Sequence, residues 1–167
     1  MLRRSAGQDS GSCSSYVAFA AVRHTLQSVL SAFSSINLVA IIVAVIANMA
    51  VGMIWFSPRV FGIVWMDLAG LTPEKIQKGG GPANAMLLAL VMAIVTAVTL
   101  SILFVLMDIR TVQDGITVSL LLGIGLLATS QITHGTFENR PLKLTAITLS
   151  HEIVGYIVMG IVLALWR

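Results

Sequence analysis

Four long apolar stretches dominate the chain, and each is long enough to cross a hydrocarbon core as a helix. Such a crossing takes about 20 residues, and Leu38 to Phe56 supplies nineteen without a charge. Polar links separate the stretches, so consecutive spans run antiparallel. The pattern predicts an all-α, polytopic membrane protein, an antiparallel bundle of four transmembrane helices with spans at about 38–56, 85–107, 116–133 and 144–166.

Residues 1–35 are predicted to form an N-terminal extension, separate from a four-helix transmembrane domain at 36–167. The extension is rich in serine and has three arginines against one acid, which suits a targeting segment or a disordered tail. Its second half repeats apolar residues at three- and four-residue steps, which predicts an amphipathic helix on or beside the membrane: Phe19, Val22, Leu26, Val29, Leu30 and Phe33.

Composition agrees with an integral membrane protein. Hydrophobic residues make up 57% of the chain and charged residues 10%, against roughly 25% charged in soluble domains. The net charge of +3 comes from Lys and Arg scattered over termini and links, so no nucleic-acid partner is expected. The single cysteine, Cys13, can form no intramolecular disulfide.

Small residues recur every fourth position on the first two spans and predict close helix packing. They are Ala40, Ala44, Asn48 and Gly52 on the first span, and Ala85, Ala89, Ala93, Ala97 and Ser101 on the second. Because one four-helix bundle uses only part of this surface, the expected partners are the lipid bilayer and either a second copy of the chain or another membrane subunit. A bacterial cell membrane is the expected location, or an organelle membrane if residues 1–35 are a transit peptide.

Lysine and arginine give a weak prediction of orientation. Within about 20 residues of a span, three lie on the side of the termini and five on the side of the links after spans one and three. The links carrying five are therefore predicted to face the cytoplasm or its organelle equivalent. The two sets are Arg23, Arg110 and Arg167 against Arg59, Lys75, Lys78, Arg140 and Lys143.

Polar residues are predicted to converge near those two links, because four spans place both on one side of the membrane. Each link carries a Phe-x-x-Arg sequence, Phe56 to Arg59 and Phe137 to Arg140, as a duplicated helical hairpin would. The predicted polar cluster contains Asn48, Arg59, His134, Glu138, Arg140, His151, Glu152 and Tyr156. Its loop members are equally well explained as solvated or lipid-paired charges, and a Glu138–Arg140 pair as a structural clasp.

Glu152 is the residue of that cluster whose surroundings matter most. A carboxyl inside an apolar span costs about 2.5–3.5 kcal/mol, so it normally faces protein or water. At 1.5 Å per residue, Glu152 and Asn48 lie at similar depths. We therefore expect Glu152 to face the bundle interior and, as a protonated acid, to donate a hydrogen bond to Asn48, with Tyr156 or Thr148 nearby. His151, about 100° round the helix, faces either the bundle or the lipid headgroups.

No catalytic or metal motif accompanies these residues. His134 and His151 are seventeen residues apart across a helix break, and the His-Glu-x-x-His and Glu-x-x-His spacings of metal sites are absent. Nucleophile-elbow, Walker and dinucleotide sequences are also absent. No catalytic residue, metal or cofactor is therefore predicted, and whether the chain is an enzyme stays open.

Two groups of residues carry a resemblance to a known family. They are Trp55-Phe56-Ser57-Pro58, Phe61-Gly62 and Trp65-Met66 in the first link, and Phe137-Glu138-x-Arg140-Pro141-Leu142-Lys143-Leu144 in the second. From about Ile36 to Trp166 the chain resembles the small four-span membrane proteins of the domain of unknown function 1761 family. The resemblance implies the four-span architecture and no activity, and His151-Glu152 is not part of the recognised pattern.

Two functions remain open on the sequence. The first is a non-enzymatic membrane protein, either an oligomeric permease-like bundle or an accessory subunit, with Glu152 and Asn48 as its polar feature. The alternative is a membrane enzyme acting on a lipid or quinone headgroup, with Glu152 or His151 as acid or base.

Overall fold

The structure, a computed structural model, describes residues 10–166, and in that part of the chain every regular element is a helix. The all-α fold predicted from the sequence is confirmed. The helices are α1 (Ser10–Ser34), α2 (Leu38–Trp55), α3 (Gly62–Leu68), α4 (Pro73–Lys78), α5 (Gly81–Leu106), α6 (Val112–Leu122), α7 (Thr129–Phe137) and α8 (Leu142–Leu165), with a π-helical segment, Gly123–Ala128, joining α6 to α7.

Four continuous helical stretches are long and apolar enough to cross a membrane, as the sequence predicted. They are α2, α5, the stretch Val112–Phe137 formed by α6, the π segment and α7, and α8. The second stretch begins four residues earlier than predicted, at the last of the glycines at 79–81. The third extends four residues further at each end and is interrupted by the π segment, which the sequence reading did not anticipate.

The first and last spans, α2 and α8, form the central antiparallel pair. At one end the Asn37 side chain donates to the Trp166 carbonyl over 3.0 Å, and at the other the Trp55 indole donates to the Ile147 carbonyl over 3.1 Å. Asn37 also caps α2, because its side-chain oxygen accepts from two of the backbone N–H groups that the first turn leaves free. These polar contacts, one at each end, help to fix the register of the two helices.

The third span packs on α8 through two glycines. A Cβ on Gly115 would lie 2.9 Å from the Gly160 carbonyl oxygen, and the reverse holds for Gly160, so the two backbones approach closely. Ser119, fully buried, lies against Gly160. Buried side chains of α2, α5 and α8 complete the core, including Ala44, Ala97, Leu100, Phe104 and Met159.

Helix α1 confirms the predicted N-terminal helix and touches the bundle only near its end. Ser28, Val29 and Ala32 are its buried or half-buried positions among those described, and they lie on the side turned to α5. Apart from Val29, the predicted apolar stripe faces away, with Phe19, Leu26 and Leu30 each more than half exposed. The arginines and aspartate of residues 1–9 lie outside the described residues.

The link after α2 folds back over the bundle. Its turn is closed by the Val60 and Gly62 N–H groups, which both donate to the Ser57 carbonyl. A Cβ on Gly62 would collide with the Phe56 carbonyl, so only glycine fits where the backbone of this turn passes so close to itself. Helix α3, which follows, lies against α8, and the Trp65 indole donates to Thr148 over 3.3 Å.

Helix α4 has the start that its sequence predicted. The Thr72 hydroxyl accepts from the Lys75 N–H, and Pro73 occupies the first turn. The hydrogen bond from Thr72, together with the backbone N–H, holds the pKa of the exposed Glu74 carboxyl below its usual value. Gly80 and Gly81, both with positive φ, then turn the chain into α5.

Candidate functional site

The bundle brings one carboxyl and one carboxamide together inside the spans. The Gln131 Nε2 of α7 donates to both carboxyl oxygens of Glu152, over 3.1 and 3.3 Å. Glu152 lies ten residues into α8, about 15 Å along a helix that is roughly 36 Å long. Both side chains are half-buried. A polar pair therefore stands near the middle of a span and is only partly covered by the chain itself.

The π segment explains why Gln131 faces α8. Gly123 already faces that helix, against Ile153. Eight residues of α-helix rotate by about 800°, which would turn Gln131 roughly 80° away from the direction of Gly123. A π bulge accommodates one extra residue, so the eight residues rotate like seven, about 700°, and the two positions align to within about 20°. Gln131 and, one turn later, Gly135 consequently both contact α8.

Tyr156, one turn after Glu152 on α8, extends the polar row toward α5. Its hydroxyl lies near the Thr96 side chain and interacts electrostatically with Glu152. Beyond Thr96 the bundle opens, since every residue of α5 from 82 to 92 is exposed. Helix α5 packs on α1, α2, α4 and α8 and has no comparable packing against α7. The row Gln131–Glu152–Tyr156–Thr96 thus lies at the open side of the bundle, where α5 does not pack extensively on α7.

The structure corrects the predicted pairing of Glu152 with Asn48. The carboxyl turns to the third span and accepts from Gln131, whereas the Asn48 amide oxygen lies against Gly155 of α8. Depth alone could not distinguish the two neighbours, because α8 contacts both α2 and the third span. Tyr156 is near Glu152, as expected. Thr148 instead accepts from Trp65.

His151 faces the first span, inside the bundle. Its ring lies 4.8 Å from the Phe56 ring and 6.3 Å from the Trp55 ring, centroid to centroid. Its Nε2 is buried without a hydrogen-bond partner among the described residues, and a Cβ on Gly52 would lie 3.2 Å from it. Aromatic residues at the end of the first span therefore flank this imidazole, which lies apart from the Gln131–Glu152 pair.

The remaining predicted residues lie at the surface. Arg140 and Glu138 form an ion pair, each about half exposed, which matches the expected clasp and contributes little to stability. His134 is exposed near the end of α7. Arg59 lines a groove on the outer side of the α2–α3 corner. None of these four side chains hydrogen-bonds to Glu152, whose described hydrogen-bond partner is Gln131.

The arrangement places hydrogen-bonding groups on different faces of α8. No group of three or more metal-binding side chains occurs among the described residues. His151 and Glu152 contact different neighbouring helices.

Gln131 and Thr96 are the polar residues that the sequence reading missed. A carboxamide in an otherwise apolar span was the available signal for Gln131, of the same kind as Asn48. Thr96 gave none, because a threonine in a membrane helix is commonly satisfied by its own backbone.

Comparison with known proteins identifies one family. The sequence profile described as "Protein of unknown function (DUF1761)" matches residues 39–164. No curated protein and no solved structure matches the chain.

Proposed function

We propose that this chain, which belongs to the DUF1761 family of proteins of unknown function, is a non-enzymatic membrane protein that works as an oligomeric, permease-like bundle. The proposed route for a small polar solute passes the row Gln131–Glu152–Tyr156–Thr96. The observation that carries the proposal is the hydrogen-bonded, half-buried Gln131–Glu152 pair near the middle of α8.

The free energy of exposing such a pair to lipid supports this function. A carboxyl at the centre of a span costs about 2.5–3.5 kcal/mol, and intramembrane acids mark solute pathways when they face a polar cavity. Gln131 satisfies part of the hydrogen-bonding capacity of Glu152. Both side chains are half-buried, so their uncovered polar surface needs contact with water, a solute or another subunit.

Helix α5 supports assembly with a second copy. Ala93, Ala97 and Ser101 of its small-residue stripe are buried within the chain, whereas Ala85 and Ala89 are exposed. Three of the five residues of the stripe are therefore packed within the chain, and two are free for another contact. A neighbouring copy packed on the free half of α5 would close the opening beside Glu152 and turn it into an enclosed route.

The alternative, an enzyme acting on a lipid or quinone headgroup, has less support. It needs a second catalytic group beside Glu152, and His151 is directed at Gly52 and Phe56 on the first span. The aromatic enclosure of His151 also leaves no described space for a headgroup next to its Nε2.

Solute-induced swelling of proteoliposomes tests the proposed function. Liposomes with the wild-type protein, shifted into isosmotic solutions of small cationic, neutral or anionic solutes, should swell faster than empty liposomes for one solute class. Glu152→Gln should reduce that rate toward the empty-liposome value, whereas Glu74→Gln, an exposed acid on α4, should leave it unchanged. Wild-type rates equal to those of empty liposomes for every class would contradict the permease-like function.

The mass of the detergent-solubilised protein tests assembly separately. The proposal expects a particle containing more than one chain. A strict monomer that retains lipid in a polar cleft would favour the enzyme instead.

A further inference from the structure

We propose that the outer corner at the end of the first span is a binding site for an anionic phospholipid. This corner groove is lined by Met53, Ile54, Ser57, Pro58, Arg59 and Val60. It lies on the side of α2 that faces away from the bundle, and it does not depend on the proposed route past Glu152.

The groove has the size and walls of a site for part of a lipid. The groove is open on its outer side, and about 560 Å³ of space lies along its walls. Met53 and Ile54 are exposed by 57% and 66%, and Val60 by 45%. These apolar side chains point into the space that an acyl chain beside α2 would occupy.

One positive charge marks the headgroup end of the groove. Arg59 has no hydrogen bond or ion pair to any residue that the structure describes, in contrast to Arg140, which pairs with Glu138, and Arg110, which pairs with Asp108. No acidic side chain lines the groove. A guanidinium binds phosphate oxygens in a bidentate manner, so the unpaired Arg59 complements a lipid phosphate.

The depth of the corner matches this ligand. Helix α2 ends at Trp55, and tryptophan concentrates at the level of the lipid headgroups. Met53 and Ile54 lie on the last turn of the span, and Arg59 follows four residues after Trp55, in the link beyond the end of the span. A lipid is favoured over a soluble anion because most of the groove wall is apolar, and an anionic lipid over a zwitterionic one because the groove offers nothing to a headgroup cation.

Thermal unfolding and lipid retention test the site in the purified full chain. Phosphatidylglycerol in mixed micelles should raise the melting temperature of the wild type more than phosphatidylcholine does, as a ligand that binds only the folded state must. Native mass spectrometry should show that Arg59→Gln weakens phosphatidylglycerol binding by about tenfold, the effect expected for one charge-assisted hydrogen bond. Val60→Asp, which adds an acid to the groove wall, should weaken it as well.

Lys143→Gln provides the matched control. Lys143 is an exposed cation at the same end of the bundle, outside the groove, and its loss should leave retention unchanged. Equal losses in Arg59→Gln and Lys143→Gln would show general charge attraction and overturn the site. Stabilisation by glycerol phosphate alone equal to that by phosphatidylglycerol would also overturn it, since the binding would then be that of a free anion.

Discussion

The hydrogen bond from Gln131 to Glu152 is a polar contact between two membrane-spanning helices, and its contribution to stability can be estimated. Interhelical hydrogen bonds there contribute about 0.6 kcal/mol on average and rarely more than about 1.7. The contact joins the last span to the third. Its energetic contribution is therefore modest, while its removal leaves a partly buried polar group without a partner.

We predict that Glu152→Leu destabilises the protein by about 1 kcal/mol, because the Gln131 carboxamide loses its acceptor. Glu152→Gln should unfold close to wild type, since an amide oxygen can still accept from Gln131. Denaturant unfolding in mixed micelles gives both values. A double-mutant cycle with Gln131→Leu should show a favourable coupling, and strictly additive losses would mean that the contact contributes nothing.

A second prediction for a single residue concerns the loss of stability when Gly62 is replaced. Gly62→Ala should cost about 1–3 kcal/mol, because the new Cβ meets the Phe56 carbonyl and backbone atoms cannot move aside cheaply. Gly125→Ala is the matched control. Nothing lies within 4 Å of its Cβ position, and alanine favours helix by up to about 1 kcal/mol over glycine. Thermal midpoints should therefore fall for the first variant and stay equal or rise for the second.

The third span shows how an irregular element can organise a site. Its π segment aligns two contact surfaces, Gly115 and Ser119 before the bulge and Gln131 and Gly135 after it. A straight α-helix of the same length could not present both to α8. The bulge lies between the two surfaces, where one residue can be removed without changing their relative direction.

We predict that deleting Leu126, an exposed residue of the π segment, leaves the fold intact. The segment should become a regular α-helix, and Gln131 should still face Glu152, since seven α-helical residues rotate by about 700°. Inserting one alanine after Leu126 should instead turn Gln131 about 100° away and destabilise the protein by about 3 kcal/mol or more. Comparable melting temperatures for the deletion and the insertion would contradict this role of the bulge.

At the scale of the whole molecule, the helix order places the two Phe-x-x-Arg links at one end of the bundle. The Trp65–Thr148 bond ties the first link to α8 near the second link. The corner groove and the Glu138–Arg140 pair belong to this end, and the α5–α6 link belongs to the other. The excess of Lys and Arg that predicts the orientation therefore belongs to two links that lie together at one end of the bundle.

We predict that this end faces the cytoplasm or its organelle equivalent, because it carries five of the eight Lys and Arg residues near spans. In a Cys13→Ser background, a membrane-impermeant maleimide added to intact cells should label Arg110→Cys and not Lys78→Cys. Both positions are exposed in the structure. Ready labelling of Lys78→Cys would reverse the orientation.

The sequence by itself determined the class of fold, because the length of an apolar run and the alternation of spans and links depend only on local composition. It also indicated the cap at Thr72, the amphipathic face of α1 and the presence of a carboxyl inside the last span. Each of these follows from residues adjacent along one helix or link, so no knowledge of neighbouring helices was needed.

Only the tertiary structure decided which helix each polar residue meets. Glu152 and Asn48 agree in depth, yet rotation about α8 and the extra residue of the π segment direct the carboxyl to Gln131 and leave Asn48 against Gly155. The enclosure of His151 by Trp55 and Phe56 likewise depends on how the first link folds back. The depth of a residue in the membrane follows from its position along its own helix. Which neighbouring helix its side chain contacts depends on how the helices pack, and the local sequence does not encode that packing.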